Sequence, residues 1–302
     1  MDLRQVEYIV KIAEENNITR AAEKIFITQS ALNQQLLKLE KELGTALFYR
    51  GRANWQLTPA GEIYISSARE LLRIKKETYA RIHDLAEEKH ELLSIGFTAT
   101  RGIDIFSSVY PLFHKNYPNV VVTPVERTSR ELQTLIANHT LDIAFLTLSD
   151  CDKTKDEYLT LKTEELFLLL PEGHPLCGKA APAAEGGDYP TMDPVHLDGC
   201  PFAIANKEST MRPLLDLIFR DAGVTPKILF ETKSNITIIK MVQAVGCGAI
   251  LPEYYLTPPP AGIRCFHLPS RPSWQMVATW RRGSYLTEVA RTFIRLVQEL
   301  LA

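Results

Sequence analysis

Hydrophobic and polar positions in the first 60 residues follow the period of short helices. Apolar residues recur every three or four positions at Leu32, Leu36, Leu39 and Leu43. At about 100° per residue these four leucines form one stripe, which we expect to face a core. Thr28 is placed to cap this helix, and Gly44 to end it. A shorter helix is predicted to begin at Thr19, with a tight turn over residues 25–27 between the two.

The polar face of the second helix has two interpretations. A helix with polar residues outside is commonly no more than a solvated surface helix. Here, however, two capped helices, a tight turn and a short arginine-bearing hairpin follow one another, which predicts a winged helix-turn-helix that lays its second helix in a DNA major groove. Amides and hydroxyls read base edges, and arginines contact phosphates or the minor groove. The predicted DNA-binding residues are Thr28, Gln29, Ser30, Asn33, Gln34, Lys38, Arg50 and Arg52.

A long helix is predicted to follow. Thr58 can cap it, Pro59 suits its first position, and helix-favouring sequence continues to about Glu88. Apolar residues recur at threes and fours over this stretch. Packing on its own domain would account for the first turns only, because a helix of about 30 residues, at 1.5 Å per residue, outruns so small a domain. Pairing with a second copy of the chain fits its length better.

Beyond Leu92 short apolar runs alternate with amphipathic segments. The runs predict strands at Leu92–Phe97, Val120–Val125, Leu141–Leu146, Leu166–Leu170, Phe202–Ala205, Ile228–Glu231, Ala249–Leu251 and Met276–Trp280. Helical patterns lie between them at about 103–116, 130–138, 210–222, 235–245 and 286–301. This alternation is typical of α/β units with mostly parallel sheets. In such folds ligands bind at the carboxyl ends of strands, where helix N-termini point inward.

Polar side chains stand where several of these strands end. Thr98, Thr100 and Arg101 follow the first strand, and hydroxyls, a cation and free backbone N–H groups together make a carboxylate site. Two alternatives remain: each hydroxyl could serve only as a helix N-cap, and Arg101 could be an ordinary surface residue. The predicted ligand-binding residues are Thr98, Thr100, Arg101, Thr128, Ser129, Phe202, Ile204, Asn206 and Asn235.

Composition narrows the class of protein. A chain of 302 residues predicts two or three domains, and 45% hydrophobic with 23% charged residues is globular. There is no apolar run long enough for a membrane span, and the amphipathic start predicts no secretory signal, so we expect a cytoplasmic protein without a membrane partner. Residues 1–60 hold eight Lys/Arg and seven Asp/Glu, so their basic side chains must act by position rather than by net charge.

Signals for metal binding or catalysis are missing. The five cysteines lack CxxC or Cys/His ligand spacing, and the sequence has no phosphate loop, GxSxG elbow or HExxH motif. We therefore predict no catalytic residue, metal or cofactor. An α/β enzyme or solute-binding module fused to a DNA-binding domain remains the alternative. The cysteines are Cys151, Cys177, Cys200, Cys247 and Cys265.

A series of short motifs carries a family resemblance. They read Ala21-Ala22-Glu23, Thr28-Gln29-Ser30-Ala31, Leu39-Glu40-Lys41-Glu42-Leu43-Gly44, Leu47-Phe48-Tyr49-Arg50 and Leu57-Thr58-Pro59-Ala60-Gly61. This order closely resembles that of the LysR-type transcriptional regulators. Weaker similarity continues through Leu141-Asp142-Ile143-Ala144, His174-Pro175-Leu176 and Gly246-Cys247-Gly248, so the resemblance covers essentially the whole chain.

The resemblance implies an architecture and a set of partners. It implies a winged helix-turn-helix domain (1–58), a linker helix that makes the dimer (59–90) and an α/β effector domain (91–302). The effector domain would resemble a periplasmic binding protein, with subdomain I at about 91–164 and 269–302, subdomain II at about 165–268, and two crossover strands between them. Its partners would be double-stranded DNA, further copies of itself in a homodimer or homotetramer, and a small-molecule effector, which Arg101 suggests is a carboxylate-bearing metabolite. Some members sense oxidants through a cysteine pair, which leaves Cys200 with a second cysteine as a redox alternative.

Overall fold

The computed structural model describes residues 2–51, 55–85, 92–183 and 188–302. The chain forms two compact units. The first contains Met1–Glu91 with two short segments, Asn138–Thr140 and Ser284–Thr287. The second contains Leu92–Ala137, Leu141–Gly283 and Glu288–Ala302. No helix in these described ranges is long and apolar enough to cross a membrane.

The first unit is mostly helical. Its elements are α1 (Leu3–Glu15), α2 (Ile18–Lys24), α3 (Gln29–Leu43), β1 (Phe48–Tyr49), β2 (Gln56–Leu57) and α4 (Pro59–Leu85). β1 and β2 pair antiparallel as a small hairpin. This is the predicted winged helix-turn-helix followed by a long helix.

Local capping sets the helix boundaries in this unit. Thr28 caps α3 by accepting a hydrogen bond from the Ala31 amide, and Gly44 ends it in a left-handed conformation with φ of 70°, as predicted. The prediction for α2 was wrong by two residues. Its cap is Asn17, whose side chain accepts from the amides of Thr19 and Arg20, so the helix begins before Thr19.

The core of the first unit lies between α1, α2, α3 and the start of α4. Leu32, Leu36 and Leu39 are buried in it as the stripe predicts, but Leu43 is 45% exposed. The helical period fixes the face on which a residue lies, whereas the last turn of α3 extends past the end of the core. The expectation for Leu43 was therefore wrong.

Helix α4 is divided between a packed start and an exposed continuation. Its cap Thr58 accepts from the Gly61 amide at 3.0 Å and donates to the Ala46 carbonyl at 2.7 Å. Ile65 and Ala68 are buried in the core of the first unit. Further along, Ile74, Tyr79 and Ile82 are exposed. The predicted continuation beyond residue 85 lies outside the described residues.

The second unit is an α/β fold. Its strands are β3 (Leu92–Phe97), β4 (Val121–Glu126), β5 (Ile143–Leu148), β6 (Glu157–Pro171), β7 (Pro201–Ala205), β8 (Lys227–Thr232), β9 (Ala249–Pro252), β10 (Ile263–Phe266) and β11 (Ser273–Trp280). Its helices are α5 (Arg101–Asn116), α6 (Ser129–Ala137), α7 (Arg212–Asp221), α8 (Asn235–Val245) and α9 (Glu288–Leu301). Short 3₁₀ helices occupy Asp150–Asp152, Pro175–Lys179, Pro194–Leu197 and Glu253–Leu256.

Seven strands form one sheet in the order β10-β6-β11-β5-β3-β4, with β9 also paired to β6, and β7 and β8 form a separate pair. β3 runs parallel to β4 and β5, and β7 parallel to β8. The expectation of mostly parallel strands was wrong for the other strand pairs of the large sheet. There, β11 is antiparallel to β5 and β6, and β9 and β10 are antiparallel to β6. Hydrophobic patterning predicts that a segment is a strand but not its direction.

Strand β6 joins the two halves of the second unit. Its first part pairs with β11 and its second part with β9 and β10. The sequence predicted only residues 166–170 of this strand and did not predict β10. Residues 157–165 are half-buried or exposed except for the buried Glu164, so this part of β6 lacks the continuous apolar run by which buried strands were identified.

Candidate DNA interface and effector cavity

The first turns of α3 present polar side chains away from the core. Gln29, Ser30, Gln34 and Lys38 are exposed and Asn33 is half-buried. These residues occupy the positions from which the second helix of a helix-turn-helix contacts base edges, and their amides and hydroxyl match base-edge donors and acceptors. The hydroxyl of Thr28 is already engaged, because it accepts the capping bond at 3.1 Å.

Arg50, in the hairpin, is held by a side chain of α3. Glu40 of α3 is buried, and its Oε1 accepts from the Leu47 amide at 2.8 Å while its Oε2 accepts from Arg50 Nη2 at 2.5 Å. The Arg50 guanidinium also lies 5.7 Å from the centre of the Trp55 ring. The orientation of Arg50 is thus fixed by its own domain. Arg52 lies outside the described residues.

A cavity of about 370 Å³ opens in the second unit at the carboxyl ends of β3, β4 and β7. The structure brings seven of the nine predicted ligand-binding residues to its wall: Thr98, Thr100, Arg101, Thr128, Ser129, Asn206 and Asn235. These residues come from separate strand ends and helix starts, as expected where several parallel strands terminate together.

Phe202 and Ile204 do not reach this cavity. They are 1% and 2% exposed and belong to the hydrophobic core around β7. The Phe202 ring packs against Phe219 at a centroid distance of 5.3 Å. Every residue of β7 after Pro201 is buried, so alternate positions do not include a ligand-facing side. The two residues therefore do not line this cavity, and of the three predicted residues on or after β7 only Asn206, beyond the strand end, does.

Arg101 is not the free cation that the sequence suggested. It is 4% exposed and forms an ion pair with Glu164, itself 2% exposed. The Tyr254 ring lies over its guanidinium at 4.8 Å, and the Tyr254 hydroxyl donates to Asp104 at 2.6 Å. Burial and the Asp104 carboxylate both raise the pKa of Tyr254, which keeps the hydroxyl protonated. The positive charge of Arg101 is therefore compensated within the protein.

The hydroxyls at the start of α6 have local partners. Thr128 and Glu131 form a capping box. The Glu131 carboxylate accepts from the Thr128 hydroxyl at 2.7 Å and from the Thr128 backbone amide at 2.9 Å. These bonds lower the pKa of Glu131. Ser129 donates to the Thr147 carbonyl at 3.0 Å, and Thr210 donates to the same oxygen at 2.8 Å. For Thr128 the alternative interpretation as a helix cap is confirmed.

The cavity wall includes residues that sequence reasoning did not predict. Arg127 and Lys233 follow strand ends, so the rule used for Thr98 would have found them. Arg127 Nη1 donates to the Glu126 carbonyl at 2.7 Å, whereas Lys233 is ion-paired with Glu208. Tyr255 and Trp274 carried no comparable signal. Burial raises the pKa of Tyr255, and the Asn235 side chain opposes this shift.

All five cysteines are free thiols, and only Cys151 is exposed. Burial raises the pKa of Cys177, Cys200 and Cys247, and it raises that of Cys265 to about 11. Because the thiolate is the reactive form, these environments oppose oxidation by peroxide. Within the described ranges no three His, Cys, Asp or Glu residues are grouped to hold a metal ion.

Comparisons with known proteins cover both units. The family model described as "LysR substrate binding domain" matches residues 86–302, and that described as "Bacterial regulatory helix-turn-helix protein, lysR family" matches residues 3–62. The uncharacterized HTH-type transcriptional regulator YcgK of Bacillus subtilis (strain 168) is 29% identical over 311 residues, covering 100% of this chain and 95% of its own. The Hca operon transcriptional activator HcaR of Escherichia coli (strain K12) is 26% identical over 307 residues, covering 100% and 99%.

A solved structure shares the fold over the same length. A full-length single-residue variant of OxyR from Pseudomonas aeruginosa superposes with a TM-score of 0.73 at 23% sequence identity, covering 100% of this chain and 94% of that one. YcgK and HcaR are both named as transcriptional regulators, which supports a regulator rather than an enzyme fused to a DNA-binding domain. The matches at both ends, with the fold that joins them, confirm the resemblance: the chain belongs to the LysR family of DNA-binding transcriptional regulators with an effector-binding domain.

Proposed function

We propose that α3 reads the operator through Gln29, Ser30, Asn33 and Gln34, with Lys38 and Arg50 contacting the DNA backbone. The exposed polar face over the first turns of α3 is the observation that supports this assignment. Arg50 acts in the orientation that Glu40 gives it. The protein works in the cytoplasm.

Replacing Gln29 and Ser30 together by alanine tests this assignment. Loss of two base contacts, each worth about 1–3 kcal/mol of discrimination, should reduce affinity for the operator by about 100-fold or more and leave nonspecific binding nearly unchanged. Footprinting and a titration at fixed salt measure both quantities. Gln298→Ala, an exposed helical glutamine in the second unit, is the matched control. An unchanged operator footprint in the double variant would contradict the assignment.

The chain acts as a dimer through α4, and a tetramer forms from two such dimers. Ile63, Ile74 and Ile82 are all exposed, and at about 100° per residue they lie on one side of the helix. An apolar stripe of this length on an exposed helix is typical of helix pairing. A dimer presents two recognition helices, which suits a pseudo-palindromic operator.

The cavity holds a small carboxylate-bearing effector. Its carboxylate lies at the N-terminus of α5, where Thr100 supplies no side-chain cap to the first-turn amides. Arg127, which lines the cavity and follows β4, is better placed than the compensated Arg101 to supply the positive charge. The effector changes regulation only if it binds one arrangement of the protein more tightly than another.

A further inference from the structure

Two buried N–H groups at the cavity wall have no hydrogen-bond partner among the described residues. They are Nε of Arg101 and Nε1 of Trp274. The two residues are 4% and 6% exposed, and both line the cavity. Buried donors without an acceptor are rare in folded proteins because each has lost its hydrogen bonds to water. An acceptor atom of a bound ligand would supply the hydrogen bond that each of these two N–H groups lacks.

The strand register places the two donors together. Trp274 of β11 lies directly opposite Glu164 of β6. Directly opposed residues point to the same face of a sheet, with Cβ atoms about 5 Å apart. Glu164 is the ion-pair partner of Arg101, so the indole and the guanidinium are neighbours around one carboxylate. We call Arg101, Glu164 and Trp274 the inner donor group.

The charges of this group decide whether a charged or an uncharged ligand oxygen fits there better. One buried cation is already matched by one buried anion. A ligand carboxylate placed here would lie beside Glu164 without a further cation to compensate it, and an uncompensated buried charge is costly. Asp104, which faces Arg101 across Tyr254, adds a second negative charge nearby. An uncharged oxygen accepts the same two hydrogen bonds without that cost.

Close to the group the wall includes Pro252, Tyr255 and the Trp274 ring, whereas most of the other lining residues are polar or charged. The flat rings and the proline suit the body of a small planar ligand, and the polar residues supply partners for its polar groups.

We infer that the inner donor group binds an uncharged carbonyl oxygen of the effector, whose two lone pairs accept from Arg101 Nε and Trp274 Nε1. The inference rests on the proposed effector cavity and deepens it. With the carboxylate at the first-turn amides of α5, the ligand class is a carboxylic acid that also carries a ketone, aldehyde or amide carbonyl.

Three benzoates that differ only in the para group test the inference on the full-length protein. 4-Acetylbenzoate offers a neutral carbonyl, 4-isopropylbenzoate has nearly the same shape without an acceptor, and terephthalate offers a second carboxylate. Isothermal titration calorimetry should show 4-acetylbenzoate binding about tenfold more tightly than either of the others.

Two substitutions assign the preference to named atoms. Trp274→Phe removes the indole N–H and should reduce the preference for 4-acetylbenzoate over 4-isopropylbenzoate to about threefold or less. Glu164→Gln leaves Arg101 without its counter-charge and should make terephthalate the tightest ligand of the three. Trp280→Phe, at the far end of β11 and away from the cavity wall, is the matched control and should keep the wild-type order.

Each contrary result has a distinct meaning. Tighter binding of terephthalate by the wild-type protein, equal binding of the acetyl and isopropyl compounds, or no binding of any of the three would overturn the carbonyl assignment. Binding that neither Trp274→Phe nor Glu164→Gln alters would place the ligand elsewhere and overturn the proposed cavity as well. Operator footprinting of the wild-type protein, which needs no ligand, tests the DNA-binding proposal separately.

Discussion

Gly61 shows how a single position can fix the join between the DNA-binding domain and α4. A Cβ added there would lie 2.0 Å from the Leu47 carbonyl oxygen and 3.1 Å from Leu57. The same residue donates its amide to Thr58, the cap of α4. The backbone of α4 therefore approaches the hairpin more closely than any side chain at this position would allow.

We expect Gly61→Ala to destabilise the first unit by about 3 kcal/mol, because rigid backbone rather than a flexible side chain opposes the added methyl. Urea unfolding followed by circular dichroism measures the loss. Gly178→Ala is the control, since a Cβ there meets nothing within 4 Å. Equal stability of the two variants would show that α4 shifts without cost.

Among the elements, α4 combines two roles along its length. Its first turns complete the core of the DNA-binding domain through Ile65 and Ala68, and Lys75 is ion-paired with Glu7 of α1. The exposed stripe begins on a different side of the same helix, so removing it leaves the domain core intact. Folding and pairing can thus be separated by substitution.

The double substitution Ile74→Glu with Ile82→Glu should weaken the dimer by about 100-fold or more, because it places like charges opposite each other in a formerly apolar seam. Analytical ultracentrifugation over a concentration series gives the dissociation constant. Lys76→Glu places the same side chain on the other side of the helix and should leave the dimer unchanged. A double variant that stays dimeric at low micromolar concentration would rule out pairing through this stripe.

At the scale of the molecule, most of the described thiols and phenols whose pKa is raised by burial lie in the second unit. Cys200, Cys247 and Cys265 are buried thiols, and burial raises the pKa of each. The phenols of Tyr254 and Tyr255 have pKa values raised chiefly by the same cause. Folding therefore holds protons that the unfolded chain would release.

The free energy of unfolding should consequently fall as the pH rises through the range in which unfolded thiols lose their proton. Cys265 keeps its proton up to about pH 11 in the folded protein, whereas an unfolded thiol loses it near pH 8.5. In that window the unfolded state binds fewer protons, so the free energy of unfolding decreases, by on the order of 2 kcal/mol from pH 8 to pH 10. Urea midpoints measured with reductant present test this, and Cys265→Ala should remove much of the slope. A flat profile over this range would contradict it.

The helices of the first unit could be predicted from the sequence because local interactions determine them. The caps Thr28 and Thr58, the terminating Gly44 and the spacing of Leu32, Leu36 and Leu39 act within a few residues of one another, so their effects follow from the chain alone. The same reasoning predicted β3 and α8 with the bounds that the structure gives them.

The cavity could be predicted only in part. Strand ends and helix starts are local features, and they identified Thr98, Asn206 and Asn235 at its wall. Phe202 lies in the core and not at the cavity wall, because burial on both faces of β7 depends on what packs against the strand. The directions of β9 and β10 likewise depend on their pairing with β6, which the pattern of either segment does not contain.

The sequence by itself determined most of the helices and strands, the helix-turn-helix and the family, because these follow from periodicity, capping and motifs along the chain. Tertiary structure decided the chemistry of the cavity. Arg101 meets Glu164 across 63 positions of sequence, and Trp274 joins them through the register of β11 on β6. Whether a charged side chain is free or compensated depends on groups that only folding brings within contact distance.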